Sequence, residues 1–279
     1  MAERRLTEAA LADSPALDEM SAEEVLRLIH REDRIAHSAV SEILPRMAEA
    51  VEVLACSLAG GGRWVNVGAG TSGRLGVLDA SELPPTYGLS PRVVQGVIAG
   101  GDRALRYAVE NAEDDDVAGS FEIEERGTTL GDVVVGISAS GHTPFVLGAI
   151  EAATRLGART IAITCDPDSP LAHSVEIALA PTVGPEVVAG STRMKGGLMQ
   201  KMILSALSTT VMVRMGRVRG HYMTHVTPAS NKLRGRAVHM LIELGGVDRK
   251  QARELLRRSD GSVERALKLL ETDRARALD

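Results

Sequence analysis

Two short apolar runs constrain the fold of this chain most, because each leads into a loop of glycine and hydroxyl residues and then into a helical pattern. The first run spans residues 63–67 and turns through Gly68–Gly73. The second, Gly131–Ile137, opens into Ser138–Pro144 and is continuously apolar, as expected of a strand buried on both faces. Strands that alternate with helices over short connections form a parallel sheet covered on both sides. We therefore predict a three-layer α/β fold around a parallel sheet.

The helical patterns on either side of this region divide the chain into three parts. A polar arm covers residues 1–19, and a capping box of Ser21 and Glu24 begins the first of two N-terminal helices, which end near residues 37 and 58. Three short helical patterns follow residue 230, and a unit of about 45 residues is marginal alone. The predicted parts are residues 1–58, a sheet domain over 59–230, and a three-helix subdomain over 231–279.

Composition excludes several classes of protein. Hydrophobic residues make up 44% and charged residues 25%, as in ordinary globular proteins. The net charge is −5, aromatic residues are only 2%, and there is no basic tract, which argues against nucleic acid binding. No stretch is apolar enough for a membrane span or a signal peptide. Cys56 and Cys165 lack the spacing of a disulfide framework, so we expect a cytoplasmic protein.

The two hydroxyl-rich loops are the strongest candidates for ligand binding. In parallel sheets, ligands bind at the carboxyl ends of the strands, where both loops fall. Hydroxyl groups and the free N–H groups at a helix start can together hold a phosphate dianion. The alternative is that the hydroxyls only cap the helices that follow. The candidate binding residues are Gly70, Thr71, Ser72, Ser138, Ser140, Gly141 and Thr143.

The first loop also satisfies the dinucleotide fingerprint G-x-G-x-x-G, so a nucleotide cofactor has to be considered. That fold places a full crossover helix after the loop and a ribose-binding acid about 20 residues on. Here the chain reaches Pro84 and Pro85 within a dozen residues, and the nearest strand-end acid, Asp102, lies 34 residues after Gly68. Thr71 and Ser72 instead suit a phosphate monoester. We predict no cofactor.

Carboxylates near these loops are candidates for acid–base chemistry. Glu82 lies between the first loop and what we predict to be a rigid proline turn, and Glu113 lies in the acidic run 110–116. Either could be no more than a surface charge, but two carboxylates over a sugar phosphate would suit general acid and base catalysis. The run 186–195 opens the longest predicted helix, and its hydroxyls and cations could cap the helix or bind an anion. Glu186 and Ser191 of this run are further candidates for substrate binding. The seven histidines lack metal-ligand spacing, so we predict no metal.

Four motifs together resemble one family. They are GAGTSGRLGVLDASELPPTYG (68–88), ENAEDD (110–115), SASGHTPF (138–145) and PEVVAGSTRMK (185–195). These segments resemble the N-acetylmuramic acid 6-phosphate etherases, which belong to the sugar isomerase (SIS) superfamily. The resemblance runs from about residue 21 to residue 270 and implies a flavodoxin-like SIS domain.

The resemblance also implies a function. It points to a cytoplasmic homodimeric lyase of cell-wall recycling, with an active site completed across the dimer interface. Such an enzyme cleaves the D-lactyl ether of N-acetylmuramic acid 6-phosphate to N-acetylglucosamine 6-phosphate and D-lactate, without metal or cofactor. The glutamate of the S-E-x-P-P-T motif, the general acid, corresponds to Glu82. The glutamate of the A-E-D motif, the general base, corresponds to Glu113.

The chain departs from the family pattern at several positions. His142 stands where an arginine is usual, Leu198 interrupts the motif K-A-G-T-A-Q-K, His221 and His225 replace residues of N-L-M-V-D-V, and Leu11 replaces an asparagine. The phosphate loops and both glutamates persist, so the reaction type is the firmer expectation and the exact substrate the weaker one. A sugar-phosphate isomerase and a non-catalytic sugar-phosphate-binding regulator of the same fold stay open.

Overall fold

The computed structural model of the chain describes residues 6–12, 14–226 and 231–276. Contacts between residues divide the chain into two units. The first consists of Met1–Ala80 and Arg92–Val211, and the second of Ser81–Pro91 and Met212–Asp279. The domain boundaries expected after residues 58 and 230 stay predictions. No described helix is long and apolar enough to span a bilayer.

A five-stranded parallel sheet forms the middle of the first unit, as predicted. Its strands are β1 (Trp64–Gly68), β2 (Val94–Ile98), β3 (Val133–Ile137), β4 (Arg159–Ile163) and β5 (Ile177–Leu179). They lie in the order β2-β1-β3-β4-β5. Because β1 pairs with both β2 and β3, the direction in which strands are added reverses at β1. The carboxyl ends of β1 and β3 therefore flank the crevice where sheets of this kind bind ligands.

Helices connect these strands. Up to residue 214 they are α1 (Ala22–Glu42), α2 (Leu44–Ala59), α3 (Gly70–Tyr87), α4 (Asp116–Glu125), α5 (Pro144–Arg155), α6 (Pro170–His173) and α7 (Lys195–Arg214). The predicted capping box begins α1, since the Ser21 hydroxyl accepts from the Glu24 N–H and the Glu24 carboxylate accepts from the Ser21 N–H. The polar arm before it contains two short 3-10 helices, Leu6–Glu8 and Leu17–Glu19.

The prediction of a proline turn after Glu82 was wrong. Helix α3 continues through Pro84 and Pro85 to Tyr87, so both prolines lie in its last turn. Proline cannot donate a backbone hydrogen bond but still accepts one, and the Pro84 carbonyl receives the N–H of Gly88 at 2.9 Å. A full crossover helix is therefore present between β1 and β2. A dinucleotide is then disfavoured by the lack of an acid about 20 residues after the loop and by the hydroxyls of Thr71 and Ser72, but no longer by the length of the helix.

Two further predictions between β2 and β3 were wrong. Asp102 does not cap a helix through Val109, because only a 3-10 helix, Gly101–Leu105, forms there, with Gly100 in the left-handed region before it. Residues 111–120 are not irregular. A 3-10 turn over Ala112–Asp114 leads into α4, whose start is capped by the Asp115 carboxylate accepting from the Ala118 N–H at 2.8 Å.

Helices α4 and α5 approach each other closely because each has a glycine at the contact. A Cβ on Gly119 would overlap the Phe145 carbonyl, and a Cβ on Gly148 would overlap the Asp116 carbonyl. Backbone therefore packs on backbone, which leaves the two helices little freedom to slide. The start of α5 carries the second hydroxyl loop, and the turn before α4 carries Glu113, so this contact sets their spacing.

The second unit contains the three predicted C-terminal helices. They are α8 (Asn231–Gly245), α9 (Arg249–Arg258) and α10 (Val263–Arg276), and their buried residues form one apolar cluster. The expected capping box of Asp248 and Gln251 begins α9. A short antiparallel pair, β6 (Val218–Arg219) and β7 (Tyr222–Met223), was not predicted.

Candidate functional site

A cavity of about 300 Å³ opens at the carboxyl ends of β1 and β3 in the first unit. It lies at the crevice that the strand order defines. Most of the predicted site residues line it: Gly70, Thr71, Ser72, Glu113, Ser138, Ser140 and Thr143. Gly141, Glu82, Glu186 and Ser191 are not among the lining residues. The two hydroxyl loops, 68 residues apart in sequence at Gly70 and Ser138, thus face one space.

The second loop is held in shape by its own hydroxyl groups. The Ser138 Oγ accepts from the Gly141 N–H at 3.0 Å and lies 2.7 Å from the Thr143 Oγ1. The Ser140 Oγ accepts from the His142 N–H at 3.3 Å. Thr143 precedes α5 but makes no side-chain capping bond to it, and Pro144 begins the helix as predicted. Thr143 therefore does not act as a simple helix cap, and its hydroxyl bonds within the loop instead.

Glycines allow the two loops to adopt their conformations. Gly141 has φ +68°, and a Cβ there would overlap the Ser169 side chain, so Gly141 shapes the loop without lining the cavity. Gly70 has φ +52°, and a Cβ on it would meet nothing within 4 Å. Gly68 and Gly73 bring strand and helix together, since a Cβ on Gly73 would lie 2.6 Å from the Gly68 carbonyl oxygen.

Glu113 lies in the 3-10 turn before α4, where its side chain is exposed and lines the cavity together with Asp114. Asn111 precedes this turn with φ +61°, a left-handed conformation that asparagine tolerates better than most residues. The acidic run is thus not simply a solvated surface. It brings the Glu113 and Asp114 carboxylates to the cavity that the two hydroxyl loops line.

Glu82 is an exposed residue of α3 and belongs to the second unit, whereas Glu113 and the cavity belong to the first. The catalytic roles of the two glutamates stay predictions.

Glu186 has a local function that its sequence position left open. Its side chain is buried, and its two carboxylate oxygens accept from the Lys195 and Gly196 N–H groups, each at 2.9 Å, at the start of α7. The Lys195 ammonium in turn contacts the buried Glu32 carboxylate of α1 at 2.7 Å. Glu186 therefore caps the start of α7. Ser191 does not line the cavity either, so for both residues substrate contact stays a prediction.

Other lining residues were not anticipated. Thr7 and Glu8 of the N-terminal arm line the cavity, as do Gly190 and Thr192. The Thr7 carbonyl accepts from the Gly190 N–H at 3.0 Å, which ties the arm to the loop before α7. Thr7 is buried, and its hydroxyl has no hydrogen-bond partner among the described residues. A polar arm without periodicity carried no signal for this contact.

Two side chains near the loops have a defined chemical state. The His142 Nδ1 lies 2.7 Å from the Ser140 carbonyl oxygen, which can only accept, so Nδ1 carries the proton. Its Nε2 is then the acceptor when the ring is neutral. Burial, with the nearby Glu186 and Asp166 carboxylates, raises the pKa of the Cys165 thiol to about 12, so Cys165 is not a nucleophile at neutral pH. Over the described ranges, no cluster of three or more His, Cys, Asp or Glu side chains could hold a metal ion.

Comparisons with known families agree with this geometry. A family model of the glucokinase regulatory protein N-terminal SIS domain matches residues 46–154, and one of the SIS domain matches residues 128–210. Both ranges contain β3 and the second hydroxyl loop.

Curated relatives extend the match over nearly the whole chain. An N-acetylmuramic acid 6-phosphate etherase of Jannaschia sp. (strain CCS1) is 49% identical over 94% of this chain and 83% of its own length. One of Symbiobacterium thermophilum is 48% identical over 95% of this chain and 88% of its own length. The chain belongs to the N-acetylmuramic acid 6-phosphate etherase family. As a member of this etherase family it is an enzyme of the carbon–oxygen lyase class, which confirms the predicted family and enzyme class.

Solved structures support the fold. A phosphoheptose isomerase from Francisella tularensis superposes with a TM-score of 0.54 at 20% identity, covering 70% of this chain and 100% of the isomerase. The predicted SIS fold of this etherase-family chain is confirmed, and an identity this low supports the fold alone.

Proposed function

We propose that this protein cleaves the D-lactyl ether of N-acetylmuramic acid 6-phosphate, forming N-acetylglucosamine 6-phosphate and D-lactate. The observation that carries the proposal is the cavity where two hydroxyl loops and the Glu113 carboxylate meet, in a chain of the etherase family. The reaction would recover amino sugar from the cell wall, in the cytoplasm, and would need no metal or cofactor.

The two loops would bind the 6-phosphate. None of the described residues that line the cavity is a lysine or an arginine, so hydroxyl and backbone N–H groups have to carry the anion. Each hydrogen bond to a charged group contributes about 1.5–3 kcal/mol. The hydroxyls of Ser138, Ser140 and Thr143, with the helix start behind them, supply several such bonds.

Two carboxylates with different tasks suit the chemistry. In the open-chain sugar, the aldehyde at C1 acidifies the proton on C2. A base removes that proton, the C3–O bond breaks, and an acid protonates the departing lactate oxygen. Water then adds at C3 of the unsaturated aldehyde, which gives the product sugar. A single carboxyl group would have to alternate between protonated and ionised forms within the same elimination.

Glu113 is the proposed base and Glu82 the proposed acid. Support for Glu113 comes from its exposed position on the cavity wall. Support for Glu82 comes from the S-E-x-P-P-T motif that it shares with the etherase family, and we place the acid and the base in a homodimer whose active site is completed across the interface. Family resemblance also motivates the dimer.

Proton exchange at C2 separates the two roles. In deuterium oxide, Glu113→Gln is expected to lose both D-lactate release and exchange of the C2 proton. Glu82→Gln is expected to lose lactate release while keeping some exchange, because proton abstraction precedes departure of the leaving group. Each loss should be about 10²–10⁴-fold. A proton NMR time course with the substrate measures both quantities.

Glu125→Gln is the matched control, since Glu125 is an exposed carboxylate of α4 that does not line the cavity. If Glu113→Gln exchanges C2 at the wild-type rate, the base is another residue, with Asp114 and Glu110 next to test. If Glu82→Gln releases lactate normally, the acid assignment is wrong.

A second candidate function is a non-catalytic sugar-phosphate-binding regulator. The match of residues 46–154 to the glucokinase regulatory protein SIS domain favours it. The same time course decides between the two, because a regulator binds the sugar phosphate but gives neither lactate nor exchange. An isomerase would exchange C2 without releasing lactate.

A further inference from the structure

A second cavity, of about 180 Å³, adjoins the first. Ala69, Gly70 and Glu113 line both cavities. A Cβ on Gly70 would meet nothing within 4 Å, so the backbone there borders open space. A ligand whose phosphate occupies the first cavity could therefore pass over these residues and place a branch in the second.

The wall of the second cavity is built largely from small apolar side chains. Ala99, Ala104, Ala108 and Val109 line it, all from the segment that follows β2. Small side chains leave room for a methyl-sized group and offer it an apolar contact.

Arg74 is a cation in the lining of this cavity, which the Glu110 and Glu113 carboxylates also border. It lies in the first turns of α3, is partly buried, and donates one N–H to the Tyr107 carbonyl at 3.3 Å. It forms no ion pair with any carboxylate of the described chain, and the Glu110 carboxylate, which also lines the cavity, is exposed. A guanidinium group fits a carboxylate through two parallel hydrogen bonds. Its remaining donors therefore suit an anionic group of a ligand.

We infer that the second cavity is the subsite for a carboxylate-bearing branch of the sugar, with Arg74 as its cation and the alanine wall around its methyl group. That this branch is the D-lactyl group on C3 rests on the proposed function. Glu113 lies at the junction of the two cavities, beside C2, which is the carbon next to the branch. The phosphate and the lactyl carboxylate then bind on opposite sides of the reacting carbons.

Two ligands that differ only in the branch provide the test. N-acetylmuramic acid 6-phosphate carries the lactyl ether, and N-acetylglucosamine 6-phosphate does not. Their dissociation constants are measured by calorimetry in the Glu113→Gln background, where turnover should be blocked. Arg74→Gln is expected to weaken the lactyl ligand about 10- to 150-fold, the equivalent of about 1.5–3 kcal/mol for a hydrogen bond to a charged group. Binding of the other ligand should change less than about twofold.

Further variants test whether a loss of binding comes from the charge of Arg74, from the shape of the cavity wall or from a change in the fold. Ala108→Leu keeps every charge and places a larger side chain at an exposed wall position, so it should weaken the lactyl ligand selectively. Arg106→Gln is the control, because Arg106 is exposed and lines neither cavity. Arg74→Lys should recover part of the lost affinity.

The outcomes distinguish this inference from the proposed function. Equal weakening of both ligands by Arg74→Gln would assign Arg74 to the phosphate or to the fold, and no weakening of either would remove it from the site. Both results overturn the subsite. If the wild-type protein releases no D-lactate, the proposed reaction is wrong. The titrations would still show whether Arg74 binds the lactyl ligand selectively, so the subsite is tested separately.

Discussion

The buried ion pair between Lys195 and Glu32 allows a prediction of stability. The Lys195 Nζ lies 2.7 Å from the Glu32 Oε2, and the two side chains are 1% and 5% exposed. Glu32 belongs to α1, and Lys195 begins α7 behind the loop that lines the substrate cavity. Removing one partner leaves the other charge in a place that water hardly reaches, and this costs about 3–5 kcal/mol.

We expect Lys195→Met and Glu32→Leu each to lower the free energy of unfolding by about 3–5 kcal/mol. Arg31 also contacts Glu32, with its Nε 3.5 Å from the carboxylate, but its side chain is 64% exposed, so it should offset little of the loss. Combining both substitutions removes both charges of this pair, and the replacement of a buried pair by apolar residues is often neutral for stability. The double variant should therefore be more stable than either single variant.

Urea unfolding followed by the fluorescence of Trp64 is the assay. Trp64 is the single tryptophan of the chain and is fully buried in β1, so its signal reports on the unit that contains the ion pair. Glu23 and Arg27 form a matched control on α1, at 2.6 Å but 74% and 76% exposed, and their removal should cost about 0–1 kcal/mol. If Lys195→Met costs no more than Arg27→Met, the pair is solvated in solution and the reasoning from burial is wrong.

Two further predictions concern the site and the assembly. Replacing Ser138 and Ser140 by alanine should raise the KM at least about tenfold, since each contributes a hydrogen bond to a charged group, and should lower the Tm by only a few degrees. The control is Ser41→Ala on α1. An unchanged KM in the double variant would remove the phosphate assignment. Sedimentation at assay concentration should show a dimer, and a fully active monomer would refute the shared active site.

Local patterns in the sequence predicted the parts of the site that depend on neighbouring residues. The run ending at Ile137 had to be a buried strand, and the hydroxyls after it had to face the carboxyl edge of the sheet. The capping boxes at Ser21 and Asp248 were equally local, because each joins residues three positions apart. In such features the spacing of the residues along the chain determines the local geometry.

Contacts between distant residues could not be predicted in this way. Thr7 meets Gly190 through one backbone hydrogen bond, and no periodicity in either segment indicates it. Lys195 would ordinarily be placed at the surface, but Glu32 makes its burial possible. Pro84 and Pro85 were taken to end α3 early, but the helix continues through both of them to Tyr87. Each lacks the N–H group that a residue at this position would donate to the preceding turn, so the sequence by itself argues against this continuation.

The glycine contact between α4 and α5 has a consequence for which carbon of a sugar phosphate can react. Gly119 and Gly148 allow no side chain between the helices, so the turn with Glu113 and the loop with Ser138 are held at one spacing by main-chain atoms. In the proposed reaction this spacing fixes the distance between the bound phosphate and the Glu113 carboxylate. The carbon that loses its proton is then selected by the backbone, and substitutions around the rest of the cavity could alter which substituents are accepted without moving the position of attack.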